Sequence, residues 1–307
     1  MRHCTDKPRT SSASGVAISM ELARILATHR PASTVVLAAV AGEEQNLYGS
    51  NFMAQTYKNA SVNVEGMYTN DIVGASRGDD GTFDPYTIRI FAQGPPSTES
   101  AAIKAQRLSI GGENDSPARE LARFTAEVAS NSYTQMNIPI VYRADRFLRG
   151  GDHLSFLAAG YAAARFTEPM EDFKHQHQDV IVRNGVQYGD LAQFVDVDYV
   201  TRVGKVNAAA LWSLANAPGT PARVTVNTTV LSNESQFSWA RSNETGLAGY
   251  EVVWRPTDAP LWTHAVGVGL VGTATVGVSK DNVNFGVRAV GTNGYRSPAA
   301  YPFPETG

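Results

Sequence analysis

The chain is almost without cysteine. Cys4 is its one thiol in 307 residues, which excludes an intrachain disulfide and leaves the redox compartment open. It also lacks an excess of charge. Its 26 basic and 29 acidic side chains leave a net charge of -3, so nothing argues for nucleic acid or an anionic membrane as partner. No apolar run approaches the roughly 20 residues that span a bilayer. The first residues, Met1-Arg2-His3-Cys4-Thr5-Asp6-Lys7-Pro8-Arg9, contain no apolar stretch and do not read as a signal peptide. What remains is the composition of a globular protein, long enough for two domains.

The most informative stretch is Val35-Val36-Leu37-Ala38-Ala39-Val40-Ala41-Gly42-Glu43-Glu44. An apolar run without polar alternation predicts a strand over 34–41, buried on both faces. It ends in two adjacent carboxylates. In an open α/β sheet, ligands bind outside the carboxyl ends of the strands, so Glu43 and Glu44 would face that crevice. Neighbouring acids repel, and a cation or a raised pKa relieves the repulsion.

Taken in order, Ser14 is placed to cap a helix from about Gly15, with Ile18, Leu22, Ile25 and Leu26 as its apolar stripe. A second helix is expected over 47–57 and a strand over 62–69, which runs into Asn70-Asp71. A strand at 86–92 and a loop through Gly94-Pro95-Pro96 follow. Ser116-Pro117 opens the next helix, with proline where its missing N–H costs nothing. Then come a strand at 138–142, a short helix at 152–159, a strand at 161–166 and, after a polar loop, a long helix over 195–215. This alternation predicts an α/β fold, a mostly parallel or mixed central sheet flanked by helices. Residues 217–221, Ala-Pro-Gly-Thr-Pro, read as a linker. Beyond them apolar residues recur with period two: Val224 and Val226, Phe237 and Trp239, Tyr250, Val252 and Trp254, then Phe285, Val287 and Ala289. That spacing predicts a small all-β, immunoglobulin-like sandwich over 222–307.

Four stretches could meet at one site: Gly42-Glu43-Glu44-Gln45, Asn70-Asp71, Gly150-Gly151-Asp152-His153, and Asp172 to Asp179 with His175 and His177. Carboxylates with imidazole suit zinc, which generates a hydroxide nucleophile from bound water. Together with Asp145 to His153 and Arg165-Phe166-Thr167-Glu168-Pro169, these motifs resemble the two-zinc aminopeptidase and peptide-hydrolase family, the leucine-aminopeptidase-like secreted exopeptidases. The match runs from about Ser14 to Ala215, within a domain of residues 14–216. The tail resembles a fibronectin type III-like module.

The resemblance implies a zinc-dependent aminopeptidase that removes N-terminal residues from peptides or proteins. Carried over by position, Glu43 is the general base and acid. Glu44 and His175 bind one zinc and Asp71 binds the other. His177 rivals His175, which is preferred because it stands four residues before Asp179. His153 is expected to give structural support. The resemblance also implies a secreted protein. The Asn-X-Ser/Thr acceptor sequons at Asn59, Asn114, Asn227, Asn233 and Asn243 agree with that.

The sequence departs from the family at its start. A His-X-Asp histidine and a bridging aspartate are implied there. The bridging position falls on Ser11, next to Ser12, and the histidine nearest the start is His3, with Asp6 close by. Residues 1–13 therefore read as an atypical leader in place of the family's first strands. The remaining ligands predict weak or absent binding of the metal pair, because catalytic zinc commonly has three protein ligands. The competing expectation is a catalytically dead module that binds peptides or a cell surface.

Overall fold

The computed structural model describes residues 10–305. His3, Asp6 and the first residues of the predicted leader lie outside the described residues. Among the described residues six α-helices order the first part of the chain: α1 Thr10–Leu26, α2 Tyr48–Asn59, α3 Ala101–Ser109, α4 Pro117–Ala129, α5 His153–Ala159 and α6 Val197–Asn216. Between them run β1 Met67–Asn70, β2 Arg89–Ala92, β3 Ile140–Val141 and β4 Ala163–Thr167. The sheet order is β1-β4-β2-β3. β1 pairs parallel with β4, β4 antiparallel with β2, and β2 parallel with β3. The sheet is therefore mixed.

Two of the longer helices, α4 and α6, start at side-chain caps. Ser116 accepts the Arg119 N–H at 3.2 Å, with Pro117 at the first helical position. Asp196 caps α6 by accepting from the Tyr199 N–H at 3.0 Å. The start of α1 differs from expectation. The helix begins at Thr10, and Ser14 is buried inside it rather than capping it. Gly15 is needed there for space. A Cβ at that position would stand 2.6 Å from the Asn70 carbonyl oxygen, so α1 lies directly on the end of β1.

Ile18 and Leu22 of α1 join Val203 and Val206 of α6, Leu121 and Ala122 of α4, Ile90 and Phe166 of the sheet, and Ile88 just before β2 in one core. The polar loop after β4 holds a hairpin, β5 Ile181–Arg183 with β6 Val186–Tyr188, turned at Asn184 and Gly185 with positive φ.

The apolar run over 34–41 does not form the expected buried strand. It carries no regular secondary structure and has no ladder partner among the described residues, and Val36 is 54% exposed. Hydrophobicity alone does not make a strand, because the backbone N–H and C=O groups need a partner. The run is tied at its ends instead. Ser33 N–H donates to Ala215 O at 2.8 Å, and Gly49 N–H donates to Ala41 O at 2.9 Å.

The second part is the predicted two-sheet sandwich. Its strands are β7 Ala222–Val226, β8 Ser235–Ala240, β9 Leu247–Pro256, β10 His264–Gly269, β11 Thr273–Val276, β12 Val283–Gly291 and β13 Phe303–Pro304. One sheet runs β10-β9-β12 and the other β11-β8-β7-β13. The alternating residues Val224, Val226, Phe237, Trp239, Tyr250, Val252, Phe285, Val287 and Ala289 fill the space between them.

The sandwich docks on α4 through buried charge. Arg255 of β9 meets both Asp115 carboxylate oxygens, at 2.7 and 2.9 Å. Trp262 donates to Glu120 at 3.1 Å, and Arg123 donates to Pro260 O at 2.7 Å. Among the described residues no helix is long and apolar enough to cross a membrane.

Candidate active site

β1 and β4 run in the same direction, so their carboxyl ends open on the same side of the sheet. Asp71 follows β1 and Glu168 follows β4. The two ends are stitched together: Glu168 N–H donates to Ile72 O at 2.8 Å, and the Thr167 hydroxyl donates to Asp71 O at 2.8 Å. Ile72, a β-branched residue, is held at φ 62° beside Asp71. Such strain persists only where the surroundings impose it. Glu43 and Glu44 arrive on a turn into α2. That turn is set by Gly42 at φ 74° and by bonds from Leu47 N–H to Glu43 O and Tyr48 N–H to Gly42 O.

These residues share a cavity of about 390 Å³, lined by Glu43, Glu44, Asp71, Ile72, Arg146, Arg149 and His177, among others. Half-burial pushes the Glu43 carboxyl up to about 7, helped by the nearby charges of Asp71, Glu44 and Asp152. Asp71 is also raised, by burial first, against the opposing pull of Arg165. Asp152 is raised by burial and by Asp71.

Arg165 supports the floor and is fully buried. Its guanidinium meets Asp71 at 3.0 Å, Asp145 at 3.1 Å, Gly150 O at 2.6 Å and the Thr167 hydroxyl at 2.7 Å. Gly151 lies against this cluster. A Cβ there would come within 2.9 Å of Arg165 and 3.0 Å of Asp71. His153 is buried, and desolvation lowers its pKa to about 4. It is therefore neutral, bonded through Nε2 to Ala144 O at 2.7 Å. Arg165, Asp145 and Gly151 lay within the motifs that carry the resemblance, but sequence reasoning assigned them no role. The signal was an arginine inside an otherwise apolar strand, Ala163-Ala164-Arg165-Phe166, which can be buried only if it is paired.

The structure brings Glu43, Glu44 and Asp71 together and separates the two loop histidines. His177 lines the cavity, with Nδ1 3.4 Å from the Glu44 carboxylate. His175 is absent from the lining. Its ring stacks on Phe194 at 3.5 Å, and Nε2 lies 3.3 Å from Asp172. Of the four stretches expected to meet, the fourth therefore contributes its second histidine to the cavity. Among the described residues, no three His, Cys, Asp or Glu side chains stand close enough together to hold a metal ion. Asp71 faces a guanidinium, and Glu44 has the His177 imidazole beside it. As arranged, these donors do not fit a zinc pair.

A cleft rich in carboxylates thus lies at the carboxyl ends of two parallel strands, the position at which open α/β sheets bind ligands. The model of peptidase family M28 matches residues 10–199, and the chain belongs to that family. It is 65% identical over 95% of its length to a "Probable zinc metalloprotease" of Pyrenophora teres f. teres, of which it covers 61%. It is 63% identical over 99% of its length to another of that description from Leptosphaeria maculans, of which it covers 71%. The chain thus spans about 61% of the length of the first of these curated relatives. Among solved structures it is similar to an aminopeptidase from Aneurinibacillus sp. strain AM-1. The identity is 19%, the match covers 66% of this chain and 39% of that one, and the TM-score is 0.43.

Proposed function

We propose that the cavity is the active site of an aminopeptidase-type peptide hydrolase that removes N-terminal residues from peptides or proteins. One observation carries this reading: Glu43, Glu44 and Asp71 line a single cavity at the ends of two parallel strands. A free N-terminus is a cation, and clustered carboxylates favour it over an internal peptide segment. Glu43, with its pKa at about 7, can accept a proton from water near neutral pH and return it to the leaving amine. Arg165 and Gly151 hold Asp71 in place.

Zinc, with Glu44, Asp71 and one of His175 or His177 as ligands, belongs to this reading through the family. The described donors do not converge on an ion. That same arrangement, with Asp71 engaged by Arg165 at 3.0 Å, favours a second reading, a peptide-binding module without catalysis. Action outside the cell is part of the first reading. The exposed sequon residues Asn233 and Asn243 on the sandwich support it. A fibronectin type III-like identity for the sandwich is part of the same reading.

An aminoacyl-anilide assay with and without chelator, run beside a calorimetric zinc titration, separates the two readings. Chelator-sensitive release that falls by about 10²- to 10⁴-fold in Glu43→Gln supports the hydrolase. Peptide binding with no release supports the binding module. Weak zinc binding is expected of the chain, and tight uptake of two equivalents would show that its donors rearrange around the ions.

A further inference from the structure

The segment Arg146-Phe147-Leu148-Arg149 divides its side chains between two environments. Both arginines line the cavity, whereas Phe147 is 73% and Leu148 is 98% exposed. The reversal needs a strained backbone, with Leu148 at φ 54°, a conformation that residues other than glycine avoid. Glu171 holds it there. Its carboxylate lies 2.8 Å from Arg149, 3.2 Å from Arg146 and 3.2 Å from Arg89. Burial would raise the Glu171 pKa, but these three cations hold it below the usual carboxylate range.

Three guanidiniums thus share one carboxylate. Arg146 also reaches Asp145 at 3.3 Å, but Asp145 is already engaged by Arg165. This wall of the cavity carries more positive than negative charge, while Glu43 and Glu44 line the same cavity with the opposite sign. A guanidinium has five donors. Among the described residues Arg149 uses Nη1 on Glu171, and its side chain is 32% exposed. It can therefore grip a second carboxylate without first being uncovered.

We propose that Arg149, with Arg146 beside it, is an anion subsite that takes a carboxylate of the peptide substrate. The site then selects small zwitterionic peptides, amine towards the acids and carboxylate towards the arginines. The carboxylate is either the peptide's own C-terminus or an acidic side chain. A cavity of about 390 Å³ lies at the small end of ligand pockets, in keeping with a short ligand. This inference rests on the peptide-hydrolase reading.

The test is a binding titration of the whole chain, followed by heat or intrinsic fluorescence, with three probes: Leu-Gly amide, Leu-Gly with a free C-terminus, and Leu-Glu amide. At least one carboxylate probe is expected to bind about tenfold tighter than Leu-Gly amide. A gain confined to Leu-Gly identifies the C-terminus as the ligand, and a gain confined to Leu-Glu amide identifies the acidic side chain. The preference should vanish in Arg149→Gln and survive in part in Arg149→Lys. If Leu-Gly amide binds and neither carboxylate improves on it, the anion subsite is overturned and the peptide reading stands. If none of the three binds, both fall. The comparison on the unaltered chain decides the matter even where a variant fails to fold.

Discussion

Glu168 is 2% exposed and accepts the Ala75 N–H at 2.6 Å. Burial, with Glu171 nearby, pushes its carboxyl up to about 8. An unfolded glutamate titrates near 4.3. Between these values the native state holds a proton that the unfolded chain has released, so stability falls as pH rises. The contribution is full below about pH 4 and is lost as pH rises through about 8. Glu168→Gln keeps an acceptor for Ala75 but cannot ionise. Its melting temperature should therefore decline less from pH 5 to pH 8 than that of the unaltered chain. Parallel melting curves across that range would contradict the assignment. At the same scale, the Asp-Phe-Lys-His-Gln-His-Gln-Asp run showed two candidate histidines in one loop. Which ring reaches the cavity depends on Phe194, distant in sequence, which stacks on His175.

Elements whose pattern is local were readable in advance. α4 carries its own cap and proline, α6 its apolar stripe, and the sandwich strands their period of two. The hairpin β5–β6 turns at Asn184-Gly185, a strong two-residue turn signal, inside the stretch whose polarity reads as a loop. The run over 34–41 failed for the opposite reason. Its composition is that of a buried strand, but no neighbouring strand among the described residues pairs with it. Its amides should therefore exchange with deuterium at least about 100-fold faster than those of β1 and β4, because unpaired backbone opens at little free-energy cost. Slow exchange across 34–41 would reveal a ladder partner. The exposed, apolar and unpaired segment is also an aggregation hazard.

At the scale of the whole molecule, the α/β part and the sandwich share buried charges rather than touching through solvent. Arg255 and Asp115 are each 2% exposed. Arg288 of β12 meets Glu127 of α4 at 2.8 Å, and Tyr301 donates to Ile110 O at 2.9 Å. Removing one member of a buried pair leaves the other uncompensated, at a cost of about 3–5 kcal/mol. Arg255→Ala should lower stability in urea unfolding by less than that, about 1–3 kcal/mol, because Arg123 still stands 3.3 Å from Asp115. The unaltered chain should unfold in one transition whether followed by tryptophan fluorescence, mostly from the sandwich, or by far-UV helix signal. Two separated transitions in the unaltered chain would show that the docking is weak.

The sequence by itself did not show α3 or the β5–β6 hairpin, but it determined five of the six described α-helices, the four strands of the mixed sheet, the sandwich core and the carboxylates that gather at the cavity. Each of these follows from spacing along the chain or from where a strand ends. The tertiary structure decided whether the run over 34–41 gained a partner and which loop histidine stands beside Glu44. It also placed the fully buried Arg165 beneath Asp71. Those outcomes depend on hydrogen-bond partners, stacking surfaces and counter-charges that come from residues far away in sequence.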